Sequence, residues 1–238
     1  MGLNIVIMKK TLLIFSFVAA FTAAVYAQPG NARFGIKIGP TFDWASSGST
    51  ATSNEGFCLG SNLGLVCDYY VTSYLAVSSG VDINILNMRY TFTDCRYVED
   101  FLEESNVLVS RRLNAVNVEI PAKAKISFDV ADSFKAYAEA GLGLGFNCRD
   151  VSKDSYSFYW VNYEEGDRYV DCTNQYRPLQ LSMIFGLGAE YEINRNFSAF
   201  AQLTFDHAFS NAFVRSLEKQ TGSIIRNNFI GIEVGIMH

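Results

Sequence analysis

The residues that could do chemistry in this 238-residue chain are charged side chains that alternate with apolar ones. Counted by parity, these charges share the polar side of their segments: Lys37, Asp82, Glu119, Lys123, Lys125, Glu139, Glu190 and Glu233. Successive side chains of a strand point to opposite faces, and charges buried on one face need partners. The pattern therefore predicts a network of ion pairs and hydrogen bonds that fills the interior of a closed sheet. The alternative is a small-ion path or a ligand site.

Other chemical signatures in the sequence are weak. A Ser–His–acid site could be assembled from Asp206, His207 and Ser210, but neighbouring residues of a strand point apart, so Asp206 would not orient His207. The glycine repeat at 141–145 lies within a predicted strand and opens no helix, as a phosphate-binding loop would require. No Cys or His spacing is typical of a metal site. We therefore expect no catalytic, cofactor or metal site, and no enzyme activity.

Five cysteines suggest disulfides if the chain is exported, because oxidising compartments favour them. Cys58, Cys95, Cys148 and Cys172 fall near one end of the predicted strands, and four cysteines allow three pairings. We favour Cys148–Cys172, which would close the largest loop, together with Cys58–Cys95. Cys67 lies near the opposite end, where a thiol behaves as a small apolar side chain.

The N-terminus predicts export. Met8-Lys9-Lys10 is a basic start, residues 11–24 are mostly apolar, and Val25-Tyr26-Ala27 is a small-x-small cleavage site. We expect residues 1–27 to be a signal peptide that begins at Met8, and residues 28–238 to be the domain that remains. No later stretch of about 18 apolar residues could form a transmembrane helix. The net charge of −5 argues against a nucleic-acid partner.

After residue 27, apolar and polar residues alternate with a period of two, which predicts β-strands. Eight segments show it: Arg33–Trp44, Phe57–Val71, Leu75–Ile85, Val116–Phe128, Phe134–Phe146, Leu179–Ile193, Phe197–Phe209 and Phe229–Met237. At Leu86 the apolar parity changes, for which we expect a β-bulge. Short connections alternate with long ones at 45–55, 94–106, 149–175 and 210–225, as in outer-membrane barrels. The predicted fold is an all-β, eight-stranded antiparallel up-and-down transmembrane β-barrel.

A soluble, lipocalin-like barrel would show the same alternation with the apolar face inside. The apolar faces here carry about five to seven residues per strand, more bulk than the lumen of eight strands can hold. The polar faces are rich in glycine, which suits a crowded interior. Aromatic residues such as Tyr69 and Trp44 lie near the two ends of the strands, where lipid-facing belts form. We therefore predict a monomeric protein of the Gram-negative outer membrane, in contact with its lipid.

Three segments carry a resemblance to a known family: "FGIKIGPTFDW", "VEIPAKAKISF" and "YAEAGLGLGF". With Val118, Glu119, Ile120 and Pro121 followed by Lys123 or Lys125, they resemble the PorT-type outer-membrane β-barrel family over residues 33–238. The resemblance implies the barrel fold and, through the member that names the family, an accessory role in protein secretion. The chain departs from the usual pattern at its end, where Ile236-Met237-His238 replaces a terminal aromatic residue.

The largest predicted loop, 149–175, is the best candidate for specific binding. Its aromatic residues include Tyr156, Phe158, Tyr159, Trp160 and Tyr163, and aromatic-rich surface often marks interaction sites. The same residues could instead pair across a hairpin that prolongs the neighbouring strands. The function predicted first is a structural or surface-interaction role through long extracellular loops, above a plugged polar lumen. The alternatives are an accessory part of a secretion machine and an enzyme that modifies outer-membrane lipid.

Overall fold

The computed structural model describes residues 32–48, 52–98, 103–158, 161–164 and 169–238; it describes no side chains for 94–98, 103–107, 156–158, 161–164 and 219–220. Eight antiparallel strands form the body: β1 (Ala32–Ser47), β2 (Cys58–Tyr70), β3 (Leu75–Val98), β4 (Glu103–Ala131), β5 (Phe134–Phe158), β6 (Leu179–Glu192), β7 (Ser198–Ala208) and β8 (Ile225–Met237). Each pairs with the next, and β8 pairs with β1, so the sheet closes. The predicted eight-stranded barrel is confirmed.

The outer face of the barrel is apolar and the inner face is polar, as the alternation predicts. Ile38, Leu65 and Leu187 are 58%, 49% and 64% exposed on the outside, whereas Lys37, Asn62 and Asp68 of the same sheet are buried inside. A soluble barrel would have the opposite arrangement, so that alternative is wrong. Within the described residues, no helix is long and apolar enough to cross a membrane.

Three neighbouring strands are much longer than the rest. β3, β4 and β5 have 24, 29 and 25 residues, whereas the other strands of the barrel have 11 to 16. They extend past the other strands at the end opposite the short turns, which we call the long-loop end. Residues 86–98, 103–116 and 149–158 form this extension, the tall sheet. Much of the sequence predicted as loops at 94–106 and 149–175 is therefore strand.

The β-bulge predicted at Leu86 is wrong. β3 keeps one register with β4 from Leu75 opposite Ile126 to Val98 opposite Glu103, so Leu86 faces inward like Asp82. The apolar parity changes there because the interior itself changes from polar to apolar toward the long-loop end. The register between β4 and β5 instead shifts near Cys148, opposite Val116 and Asn117.

Two loops fold over the long-loop end and cover the lumen. Residues 172–178 and 209–224 are joined by the hydrogen bond from Arg177 N to Ala212 O, 2.7 Å long, and Ala212 N donates to Ile225 O of β8. The second loop contains the only α-helix of the described residues, α1 (Arg215–Thr221), which ends at Gly222 with φ of 64°. We call these loops, with the inward apolar residues beneath them, the cap.

Candidate functional site in the lumen and cap

All eight charges predicted to share the polar face lie in the lumen. They come from six strands, and none is more than 6% exposed: Lys37, Asp82, Glu119, Lys123, Lys125, Glu139, Glu190 and Glu233. They lie inside because each stands on the inward parity of its strand, which the closed sheet fixes. The lumen is thereby filled with side chains rather than open, as is typical of eight-stranded barrels.

Lys125 organises the part of the lumen nearest the short turns. Its Nζ lies 2.6 Å from Asp68 Oδ2 and 3.8 Å from Glu190 Oε2. The same ammonium stands 4.1 Å from the ring centroid of Tyr137, a cation–π contact. Glu190 also accepts hydrogen bonds from Ser198 and Arg33. Each charge in this cluster therefore has at least one partner of opposite sign.

Lys37 organises the middle of the lumen. Its Nζ lies 3.0 Å from Asp82 Oδ2 and 3.2 Å from Glu233 Oε2, so one ammonium bridges two carboxylates. Glu233 Oε2 also accepts hydrogen bonds from Gln202 and Thr204, at 2.5 and 2.9 Å. A second ion pair in the middle of the lumen joins Lys123 Nζ to Glu139 Oε1 at 2.5 Å.

Inward glycines make room for these long side chains. A Cβ on Gly64 would stand 2.1 Å from Asp82 Oδ1, and one on Gly143 would stand 1.9 Å from Glu119 Oε1. Real Cβ atoms do not approach oxygen so closely, so any side chain at these positions would displace the carboxylates. Glycine on the polar face is the sequence signal for this close approach.

Glu119 lies at the outer end of the polar lumen and forms no ion pair with the buried lysines. Its Oε1 accepts a hydrogen bond of 2.6 Å from Ser182 Oγ, and its Oε2 accepts one of 3.2 Å from Asn84. Ser182 Oγ also lies 3.0 Å from Asp206 Oδ2. A cavity of about 10 Å³ remains between these groups, with room for about one water molecule.

The cap closes the lumen above this point with an apolar core. Tyr90, Phe92, Tyr176 and Phe213 pack with ring centroids 5.4 to 6.2 Å apart and are at most 3% exposed. The sequence analysis missed these residues as a group. The parity change at Leu86 was the available signal, because it places the apolar side chains of the tall sheet inside.

Among the described side chains of β4, Arg111 is the one charged residue that is buried in the cap. Its Nε and Nη2 donate to both oxygens of Asp154 at 2.7 and 2.6 Å, and its Nη1 donates to Gln175 at 2.7 Å. The guanidinium also stands 5.0 Å from the ring centroid of Phe92. Burial works to lower the pKa of Arg111, but Tyr176 and Asp154 raise it overall, so it stays charged. It joins β4, β5 and the loop 172–178.

Burial also shifts the protonation of other groups at the cap. It raises the pKa of the Tyr90 hydroxyl well above its usual value, and that of Tyr176 is likewise raised although Arg111 opposes the shift. Asp150 is buried on β5, and its burial raises the pKa of its carboxyl to about 7, although a hydrogen bond from Asn147 opposes the shift. Asp150 can therefore change charge near neutral pH.

The predicted disulfides are not formed by the cysteines that the structure describes. Cys58, Cys67, Cys148 and Cys172 all carry free thiols. Cys148 is exposed on the outer side of β5, whereas Cys172 is buried beneath the cap, so the favoured pairing of these two is wrong. Cys58 is likewise unpaired, and the side chain of its expected partner, Cys95, lies outside the described residues.

The candidate partner-contact residues fall where little is described. Tyr156 and Phe158 lie on β5, and Tyr163 lies on a short strand, Val161–Glu164, that pairs with β5. Their side chains lie outside the described part of the chain, as do Tyr159 and Trp160 altogether. The hairpin pairing of Tyr156 with Tyr163 agrees with the view that this segment prolongs the strands.

The residues considered for a Ser–His–acid site are not arranged as one. Asp206 points into the lumen toward Ser182, while His207 points the other way and its Nδ1 lies 2.5 Å from Asn228 Oδ1. Ser210 Oγ accepts a hydrogen bond from the backbone of Leu181. No group of three His, Cys, Asp or Glu residues within the described ranges is arranged to hold a metal ion.

One protein family matches the sequence of this chain. The profile of the family described as outer membrane protein beta-barrel domain matches residues 26–214. No curated protein matches the sequence.

Several solved structures are similar to this chain at low identity. Neisserial surface protein A is 13% identical, with 86% of this chain and 95% of that chain covered and a TM-score of 0.42. Ail of Yersinia pestis, in complex with the heparin analogue sucrose octasulfate, is 14% identical, with 88% and 100% covered and a TM-score of 0.34. The outer membrane protease OmpT from Escherichia coli is 10% identical, with 89% and 97% covered and a TM-score of 0.39. Likeness at this level says nothing about what this chain binds or catalyses.

Proposed function

This chain belongs to the family of outer membrane protein β-barrel domains, and from that premise we propose that it is a closed, non-enzymatic barrel that acts at the cell surface through its tall sheet. It is a protein of the Gram-negative outer membrane. Short turns of such barrels face the periplasm and long loops face outward. The tall sheet and the cap then lie outside the cell.

The observation that carries the proposal is the length of β3, β4 and β5. A transmembrane strand needs about 9–11 residues, and these strands have 24, 29 and 25. More than half of each strand is therefore available beyond the membrane. A rigid sheet of this height is a scaffold on which exposed binding residues can be placed.

The filled lumen argues against transport as the main role. Ion pairs occupy its middle, the remaining space beside Glu119 is about 10 Å³, and Phe213 and Tyr176 are buried above it. A general diffusion pore requires a continuous aqueous path, which eight-stranded barrels lack. Purified protein in a planar bilayer should therefore show no steady conductance.

A site-specific photocrosslinker at Trp160 tests the surface role. Trp160 is one of the aromatic residues that the sequence predicts to contact a partner, so we expect a reproducible adduct with one extracellular partner in intact cells. The matched control is the same crosslinker at Thr72, in a short turn at the other end of the barrel. Adducts from Trp160 that vary between preparations, together with open conductance, would contradict the proposal.

The same experiment separates the alternative, an accessory role in secretion, which the PorT-type resemblance suggests. A secretion complex spans the envelope, so it should be captured from the periplasmic turn at Thr72 as well as, or instead of, Trp160. An enzyme acting on lipid would give neither adduct, and replacing His207 would then alter the lipid composition.

A further inference from the structure

We propose that the outer end of the polar lumen is a binding site for one hard divalent cation of the Ca²⁺ class, held between Glu119 and Asp206. The site is the small cavity beneath the cap, lined by these carboxylates with Ser182, Asn117, Asn227 and Gln180. It goes beyond the surface role, because it concerns the stability and closure of the barrel interior.

Ser182 has too few protons for the two carboxylates that its hydroxyl contacts. Its Oγ lies 2.6 Å from Glu119 Oε1 and 3.0 Å from Asp206 Oδ2, both within hydrogen-bonding distance. A serine hydroxyl has one proton and can donate to only one of them. With both carboxylates ionised, the second contact brings two oxygens together with nothing positive between them. A cation in the adjoining cavity would remove this repulsion.

The described part of the lumen holds more carboxylates than basic groups. Its buried carboxylates are Asp43, Asp68, Asp82, Glu119, Glu139, Glu190, Asp206 and Glu233. They face three buried lysines, Lys37, Lys123 and Lys125, and the part-buried Arg33. The basic groups pair with the carboxylates of the middle and the short-turn end. Among the described residues, no Lys or Arg nitrogen lies within 4.0 Å of Glu119 or Asp206. Two buried carboxylates without a direct ion pair are expensive.

Two asparagine amide oxygens are also buried beside this cavity. Asn117 Oδ1 and Asn227 Oδ1 accept no hydrogen bond within the described part of the chain, although their side chains are only 8% and 7% exposed. Both residues line the same cavity as the two carboxylates. Unsatisfied buried acceptors are rare and call for an explanation. A cation would be a partner for both amide oxygens, whereas an ionised carboxylate has no proton to donate to them.

The available ligand atoms and the size of the cavity favour Ca²⁺ over Mg²⁺. All the available donors are oxygens, from two carboxylates, a hydroxyl and amide groups, which suits Ca²⁺ with its 6–8 oxygen ligands. Mg²⁺ usually keeps several waters, and a cavity of about 10 Å³ has no room for them. The two negative charges of the carboxylates balance the two positive charges of one divalent cation. Leu86 and Phe229 border the cavity, so the ion would enter as the barrel folds.

The test uses the full mature barrel, folded in detergent with about 5 mM CaCl₂, MgCl₂ or EGTA. This Ca²⁺ concentration exceeds the Kd range of about 10⁻⁴–10⁻³ M for weak extracellular calcium modules. After rapid desalting we expect about one Ca²⁺ per chain by elemental analysis. We also expect the Tm from circular dichroism to be roughly 2–9 °C higher in Ca²⁺ than in EGTA, with little effect of Mg²⁺.

The double variant Glu119→Gln/Asp206→Asn should lose both the bound Ca²⁺ and the shift in Tm. The control Glu192→Gln/Asp171→Asn removes the same charges from solvent-accessible positions outside the cavity and should keep both. The wild-type chain alone can overturn the proposal: no retained Ca²⁺ and equal Tm values in Ca²⁺ and EGTA would do so. So would a Ca²⁺ shift that persists unchanged in the lumen double variant.

Discussion

The ammonium nitrogen of Lys37 lies 3.0 Å from Oδ2 of Asp82 in the middle of the barrel, where both side chains are nearly inaccessible to solvent. The same nitrogen also contacts Glu233 at 3.2 Å, so one lysine balances two carboxylates from β3 and β8. These contacts join β1 to β3 and β8 rather than following one strand. They hold together strands whose distance from one another depends on the closure of the sheet.

Lys37→Met should therefore destabilise the barrel strongly, because it leaves two buried carboxylates without their cation. Removing one partner of a buried pair costs about 3–5 kcal/mol of unfolding free energy. The measurement is urea unfolding of the barrel in lipid vesicles, followed by tryptophan fluorescence.

Lys135→Met is the matched control for that substitution. Lys135 pairs with Glu192 at 2.6 Å, but both side chains are more than 30% exposed at the short-turn end. An exposed pair contributes about 0–1 kcal/mol. Equal losses for the two variants would show that burial adds nothing to the Lys37 contacts.

Gly143→Ala should destabilise the barrel by about 1–3 kcal/mol, as overpacking usually does. The new Cβ would stand 1.9 Å from Glu119 Oε1 and 2.4 Å from Ser182 Oγ. Gly231→Ala is the control in the same lumen, where the nearest atom would be 3.5 Å away. Unfolding curves in one detergent compare them directly, and a neutral Gly143→Ala would mean that the outer lumen is looser than the structure shows.

The barrel itself could be predicted from the sequence because its physical cause is local. A period of two in polarity follows from strand geometry, and charges such as Glu119 and Lys123 repeat on the parity opposite to that of Ile120 and Phe128. The alternation of short and long connections then implies closure. Parity also assigns each lumen charge to a face without any knowledge of its partner.

Contacts between distant parts of the chain could not be predicted in the same way. The pairing of Lys37 with Glu233 joins residues at opposite ends of the chain, and the register that aligns them depends on the whole barrel. The parity change at Leu86 was misread because a bulge and an apolar interior leave the same local pattern. The unbroken register of β3 with β4 distinguishes the two, and Phe213 from a distant loop fills the apolar interior.

Cysteine accessibility should follow burial rather than pairing. Cys148 is exposed, whereas Cys172 is 2% exposed beneath the cap. Burial raises the pKa of the Cys172 thiol, which lowers the fraction of reactive thiolate further. We expect a maleimide reagent to label Cys148 within minutes in the folded barrel and Cys172 only after unfolding, as read by peptide mapping. A peptide linking Cys148 to Cys172 without reductant would contradict this.

The stability of the folded chain should depend on pH through Asp150, whose carboxyl is held on the inward side of β5 below the loop 172–178. Its ordinary pKa of 3.8 rises to about 7 in the folded chain, chiefly because of burial. Between these values the folded state binds a proton that the unfolded state does not. Its contribution to the unfolding free energy therefore falls as the pH rises from about 4 to 7, and levels off above.

Asp150→Asn should remove this dependence, because an amide has the shape of the protonated acid and never ionises. We expect the variant to be more stable than wild type at pH 8, with the difference in unfolding free energy shrinking toward pH 5. Glu192→Gln is the control: Glu192 lies at the short-turn end, is 41% exposed and pairs with Lys135, so the effect of this substitution should not change between pH 5 and 8. Because other groups titrate in the same range, the informative quantity is the difference between variant and wild type at each pH. A constant difference for Asp150→Asn would mean that Asp150 stays ionised in the folded barrel, and that the cap admits enough water to solvate it.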